Sequence, residues 1–240
     1  MNIIADTHLH TLASTHAYSS LQEMIHAAAL KKLYVVAVTD HGVSMPGSPR
    51  QWYFHNMTVI PRRVEGVVVL RGQETNVVDY DGNIDLETEC EGDLDWIVAS
   101  IHDVCMPEEN PTMEQVTNLW LRVAADPRVN VIGHSGSKTY QYDYETVIPE
   151  FGRQGKLVEV NEGTFRSRAK SVPNCVEIMK CCKKHGVPIV VNSDSHFSTQ
   201  VGCFEKSLRL LEEVGFPEEL VINSSVERFN AYLKKHTRVF

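Results

Sequence analysis

Histidines and carboxylates recur in this chain in short sets whose spacing suits a metal ion. The sets are Asp6-Thr7-His8-Leu9-His10 with His16 shortly after, Thr39-Asp40-His41-Gly42, Arg71-Gly72-Gln73-Glu74, Ile101-His102, Gly133-His134 and Asn192-Ser193-Asp194-Ser195-His196. His8 and His10 are two apart, as are Asp194 and His196, so on an extended backbone both side chains of each pair leave the same face. Two donors from one segment can then grip one ion, and neutral imidazole with carboxylate suits zinc, iron and manganese. A lone histidine is ordinarily a surface or hydrogen-bonded residue. Of the 11 histidines, however, only His26, His55, His185 and His236 fall outside these sets. The joint pattern favours a metal site, and nine His, Asp and Glu candidates exceed the three protein ligands of a catalytic zinc. Two or three ions are implied.

These sets need elements that bring them together. Short apolar runs rich in β-branched residues fit strands over 2–5, 34–38, 67–70, 96–100, 129–132, 157–160 and 188–191. Helical patterns fit 20–31, 112–125, 174–185 and 204–214, with a last helix over 225–235 capped by Ser224 or Ser225. Alternation of this kind builds a parallel sheet of βα units. Six of the seven strands deliver a candidate donor at the C-terminal end, and in a βα barrel those ends open onto one face. The stretch 43–63 reads as the longest irregular segment. Its Trp52 and Phe54 favour an apolar lid over simple packing of the barrel mouth.

Bulk properties narrow the class. At 240 residues one large domain spanning 1–240 is expected, with no linker, low-complexity tract or repeat. A formal net charge of -8 without a basic stripe argues against stable binding of duplex nucleic acid. Cys90, Cys105, Cys175, Cys181, Cys182 and Cys203 form no CxxC pair and read as reduced thiols; with no signal-like or membrane-length segment, the expected location is cytoplasmic. Cys181-Cys182 lies in a helical run and reads as packing. No Gly-rich phosphate loop or GxSxG elbow is present. No pattern encodes an oligomeric state, and a homo-oligomer is compatible with the chain.

DTHLHT, TDHG, RGQE, IHD, GHSG and NSDSH, in this order and over nearly the whole chain, resemble the motifs of the PHP (polymerase and histidinol phosphatase) superfamily of metal-dependent phosphoesterases. ASTHAYS and QWYFHNM are similar to the YcdX-like phosphatase branch. The resemblance implies an α/β fold, a distorted TIM-like (βα)7 barrel, with a trinuclear site at the C-terminal ends of its strands. Carried over by position, His8, His10, Glu74 and Asp194 would hold the first metal, His16, His41 and His196 the second, and Glu74, His102 and His134 the third, with Glu74 bridging.

The chemistry expected of such a site is phosphomonoester hydrolysis by an activated hydroxide, with three divalent ions, zinc first and manganese or iron as alternatives. The partner is then a small phosphorylated substrate. Asp6 and Asp40 adjoin expected ligands and could orient an imidazole, the alternative for Asp6 being a structural hydrogen bond at the barrel rim. Arg166, and also Arg71, are candidates to clamp phosphate bidentately, while Arg168 reads as a solvated surface residue. Three other readings compete. An amidohydrolase would use a metal-ligating lysine at a strand end, and none is present. A nuclease would release nucleotides from short single-stranded ends. A non-catalytic metal-binding regulator would show no turnover when fully loaded.

Overall fold

Seven parallel strands carry the chain through the computed structural model, which describes residues 1–87, 92–107 and 110–239. They are β1 (Ala5–Leu9), β2 (Val35–Val38), β4 (Val67–Val77), β5 (Trp96–Ile101), β6 (Val131–Ile132), β7 (Leu157–Asn161) and β8 (Ile189–Asn192), paired in chain order. A two-residue strand, β3 (Arg63–Val64), adds antiparallel to β4 outside that path. β1 and β8 meet through a parallel bridge between Leu9 and Ser195, so the sheet comes close to closing on itself. With alternating helices around it, this is the expected distorted TIM-like (βα)7 barrel.

The helices are α1 (Leu21–Leu30), α2 (Gln51–Asn56), α3 (Met113–Ala125), α4 (Tyr144–Arg153), α5 (Thr164–Ser167), α6 (Val172–His185), α7 (Glu205–Glu213) and α8 (Val226–His236). Local chemistry fixes their starts. Ser20 with Glu23 and Thr112 with Gln115 form reciprocal capping boxes, while Asp143 and Ser225 cap α4 and α8. Gly186, at φ 66°, ends α6 in the left-handed conformation that glycine adopts without steric cost.

The barrel interior is packed rather than hollow. Ala5, Val35, Leu70, Val98, Val131 and Val190 point inward around the fully buried Trp96, and α8 closes one end with Phe229, Tyr232 and Leu233. Outside, α3, α4, α6 and α7 bury Trp120, Phe151, Ile178 and Leu211 against the sheet. Burying one such side chain contributes about 1.5–3 kcal/mol.

Three expectations are corrected. The first strand is Ala5–Leu9 rather than 2–5, and the third runs on to Val77, so Asp6, His8 and Glu74 stand inside strands and not in the loops that follow. The helix α4 was not expected, because Pro149 and Gly152 interrupt its pattern; the proline is accommodated inside the helix, whose apolar face buries Val147, Ile148 and Phe151. The stretch 43–63 is not an irregular lid throughout. It contains α2, a 3-10 turn at Met57–Val59 and the start of β3. Phe54 is buried in the core with Met24 and Met57, whereas Trp52 is 82% exposed.

Candidate metal centre

Glu74, pointing from the long strand β4, lies at the centre of a ring of imidazoles. Its Oε1 is 2.9 Å from His134 Nε2, 3.3 Å from His8 Nε2 and 3.4 Å from His102 Nε2. Its Oε2 is 2.7 Å from His41 Nδ1 and 3.4 Å from His10 Nε2. Asp194, just beyond β8, faces the same group, with Oδ1 3.2 Å from His10 Nε2 and 3.7 Å from His8 Nε2. His16 Nε2 reaches to 3.1 Å from His41 Nε2, and the rings of His196 and His16 stack with centroids 4.8 Å apart. All nine candidate ligands therefore converge from six strands and the segments that follow them.

Several of these atoms are buried without a hydrogen-bond partner: His8 Nε2, His10 Nε2, His41 Nδ1 and Glu74 Oε2. Orphaned buried polar atoms are costly, yet here they lie close together and aim at common points. Three sets bring one donor from each residue within 4.8 Å of one another: His8-His10-Asp194, His10-His41-His196 and His41-Glu74-His102. The donor set fits divalent cations. Backbone strain sits at the same place. Asp194 (φ 53°) and His134 (φ 23°) are two of only four non-glycine residues with positive φ among the described residues.

Protonation suits the same role. Burial, together with His41 and His196, pushes the His10 pKa well below the ordinary histidine value, and burial with the nearby Arg168 lowers that of His134. Both are left neutral, as ligation requires. Burial would raise Glu74 and Asp194, but His8 and further imidazoles hold both well below the usual carboxylate range. For His8, Glu159, Glu74 and Asp194 outweigh burial and raise the pKa well above the usual value. A cation bound there would displace that proton.

Around this cluster lies a second layer, part of which the sequence did not reveal. Glu159, in the middle of β7, has Oε1 2.7 Å from His8 Nδ1, while its Oε2 accepts the His134 backbone N–H at 2.9 Å. His102 Nδ1 lies 2.8 Å from Asn76 Oδ1. The contacts of Glu159 Oε1 and Asn76 Oδ1 each hold a ring, of His8 and of His102, so that its Nε2 turns to Glu74. The only signal for Glu159 was an acid in the otherwise apolar strand Leu157-Val158-Glu159-Val160.

The expected acid and clamp residues are placed differently. Asp6 touches no imidazole; it accepts backbone N–H groups of Ser193 and Gly202 at 3.0 and 2.8 Å, tying β1 to the segment after β8. The Asp40 carboxylate accepts from Thr11 N and Oγ1, Ser14 Oγ and Tyr53 Oη, all within 2.8 Å, and touches no imidazole; Ser14 Oγ in turn accepts the His41 N–H at 3.1 Å, and the Asp40 carbonyl accepts the Glu74 N–H at 3.1 Å. Arg166 Nη2 donates to the carbonyls of Ser193 and Asp194 at 3.0 and 3.4 Å. Arg168, expected at the solvated surface, instead donates to Asp194 Oδ2 at 2.7 Å and Asn161 Oδ1 at 3.2 Å. Arg71 Nη2 donates to the carbonyls of Thr58 and Ile60, bracing the turn after α2. Cys181 and Cys182 are buried free thiols on α6, and Cys90 lies outside the described residues.

The fold is one shared with histidinol phosphatases of known structure. A histidinol phosphate phosphatase from Lactococcus lactis subsp. lactis, complexed with zinc, L-histidinol and phosphate, superposes with a TM-score of 0.61 at 14% identity, over 89% of this chain and 94% of that one. Sequence relatives are nearer. A probable phosphatase of Caldicellulosiruptor saccharolyticus is 41% identical over 98% of this chain and 98% of its own length, and one of Acetivibrio thermocellus is 43% identical over 98% and 97%. The chain belongs to the family of these bacterial proteins. No family model matches it. Among the described residues no helix is long and apolar enough to cross a membrane.

Proposed function

We propose that the chain is a metal-dependent phosphatase of the PHP type, in its YcdX-like branch, hydrolysing phosphomonoesters of small molecules at the Glu74 cluster. The single observation carrying this reading is the placement of five imidazole nitrogens within 3.4 Å of the two Glu74 oxygens, split three and two between them. One carboxylate so flanked is suited to bridge cations. In this reading His8, His10, Glu74 and Asp194 hold one ion, His16, His41 and His196 a second, and Glu74, His102 and His134 a third, all within one domain over 1–240. The phosphatase names of the relatives, at 41% and 43% identity, support the same class of reaction.

Bound divalent cations supply a water of lowered pKa and neutralise charge on phosphoryl oxygens. The chain's own residues do the rest. Glu159 and Asn76 orient the rings of His8 and His102, and Arg168 fixes the Asp194 carboxylate while adding positive charge beside the cluster. Asp40, through Ser14, sets the backbone from which His41 projects.

Elemental analysis of the purified protein, paired with phosphate release from monoesters before and after chelation, tests the reading. About three divalent ions per chain and chelator-sensitive turnover are expected. Hydrolysis that survives complete metal removal would overturn it. Faster release of nucleotides from single-stranded oligonucleotides than of phosphate from monoesters would favour a nuclease, and no turnover of the loaded protein a regulator.

A further inference from the structure

Beside the cluster a groove of about 820 Å³ opens between the loop after β6 and the segment linking α5 to α6. Its floor includes His16, His102 and His134. A space of this size matches a whole small-ligand pocket and exceeds what one phosphoryl group fills. Four cationic side chains line it, Lys138, Arg166, Arg168 and Lys170, against one acid, Asp103. That balance is opposite to the net charge of -8 of the whole chain. Two of the four cations are already engaged, Arg168 with Asp194 and Arg166 with the carbonyls of Ser193 and Asp194. Lys138 and Lys170 are exposed, stand on the two different walls and have no ion pair among the described residues.

The geometry points to a substrate with a second anionic group, a carboxylate or another phosphate, held at the groove by Lys138 and Lys170 while its phosphomonoester end lies at the Glu74 cluster. The inference rests on the phosphatase reading and deepens it: the metal centre accepts any phosphoryl group, and the lysines select which molecule carries it. Local positive charge in a groove concentrates an anionic ligand and orients its approach, an effect that acts on capture and is screened by salt.

Three esters that differ only at the far end test this: ω-hydroxybutyl phosphate, ω-carboxypropyl phosphate and butanediol bisphosphate. With the metal-loaded wild-type protein, kcat/KM for the two doubly anionic esters should exceed that for the hydroxyl ester by roughly five- to tenfold, mainly through KM, and the ratio should shrink with added salt. In Lys138→Ala/Lys170→Ala the ratio should fall towards one, whereas Lys180→Ala, removing a charge on the outer face of α6, should leave it unchanged. Preference for one of the two anionic ends identifies carboxylate or phosphate as the group recognised. Equal kcat/KM for all three esters in the wild type, or a ratio the double variant does not alter, would overturn the inference while leaving the phosphatase reading in place. Absence of hydrolysis of all three would overturn both.

Discussion

His8 Nδ1 and Glu159 Oε1 lie 2.7 Å apart, both fully buried, one on the first strand of the barrel and the other on β7. The pair leaves Nε2 as the ring nitrogen of His8 that faces Glu74, the one that would meet a cation in the proposed reading. A carboxylate behind a ligating imidazole both orients the ring and raises its basicity, and its loss typically weakens metal binding 10–100-fold.

Glu159→Gln retains the shape but replaces the acceptor charge. Titration of the apoprotein with zinc against a competing chelator should show affinity reduced by about tenfold or more, with the near-ultraviolet circular dichroism of the folded barrel retained. Wild-type affinity in the variant would show that this contact does not tune the site.

The two arginines that follow β7 should separate in the same assay. Arg168 forms a charge-assisted contact with the Asp194 side chain, whereas Arg166 meets only carbonyl oxygens. Removing Arg168 leaves Asp194 without its cationic partner, a change on the order of 1.5–3 kcal/mol for a charged hydrogen bond. Arg168→Ala should therefore lower metal affinity about tenfold or more, and Arg166→Ala by less; equal loss in both would contradict the assignment.

Lys156 gives a pH signature remote from the cluster. Its ammonium is buried and donates to the carbonyls of Asp126 and Val129 at 2.6 and 2.7 Å, and burial pushes its pKa down to about 8 from 10.5. Between those two values the unfolded chain holds a proton that the folded chain has released, so this group makes stability rise with pH there; the contribution is lost as pH falls through about 8. The difference in unfolding free energy between wild type and Lys156→Met, measured by urea denaturation, should move in favour of the wild type from pH 8 to 10.5. A constant difference across that window would sink the prediction.

Much of this molecule is legible in its residues. The seven parallel strands follow from apolar runs, and α1, α3, α6, α7 and α8 from periodicity and caps such as Ser20 and Thr112. The convergence of nine donors follows from where those strands end. What stayed hidden has physical causes. The polar run Asp6-Thr7-His8 conceals the true extent of β1, since a strand interior is expected to be apolar and this one is buried with its polar groups hydrogen-bonded to other strands. Glu159 was concealed in the same way, as a buried charge inside β7. Pro149 argues locally against a helix that tertiary packing enforces. That Arg168 rather than Arg166 meets the Asp194 carboxylate depends on the turn at the end of α5, where Arg168 departs from helical geometry at φ -127°, and no spacing rule encodes that turn.

The seam between β1 and β8 joins segments nearly 190 residues apart, and it does so at the donors themselves: the Asp194 N–H meets the His8 carbonyl at 3.0 Å, and the His10 N–H meets that of Ser195 at 2.8 Å. A ribosome-bound chain still lacking β8 has the His8–His10 pair but no opposing Asp194. In the proposed reading, the set His8-His10-Glu74-Asp194 would therefore be complete only once almost all of the polypeptide has emerged, and filling of that one position would report that the last strand has docked.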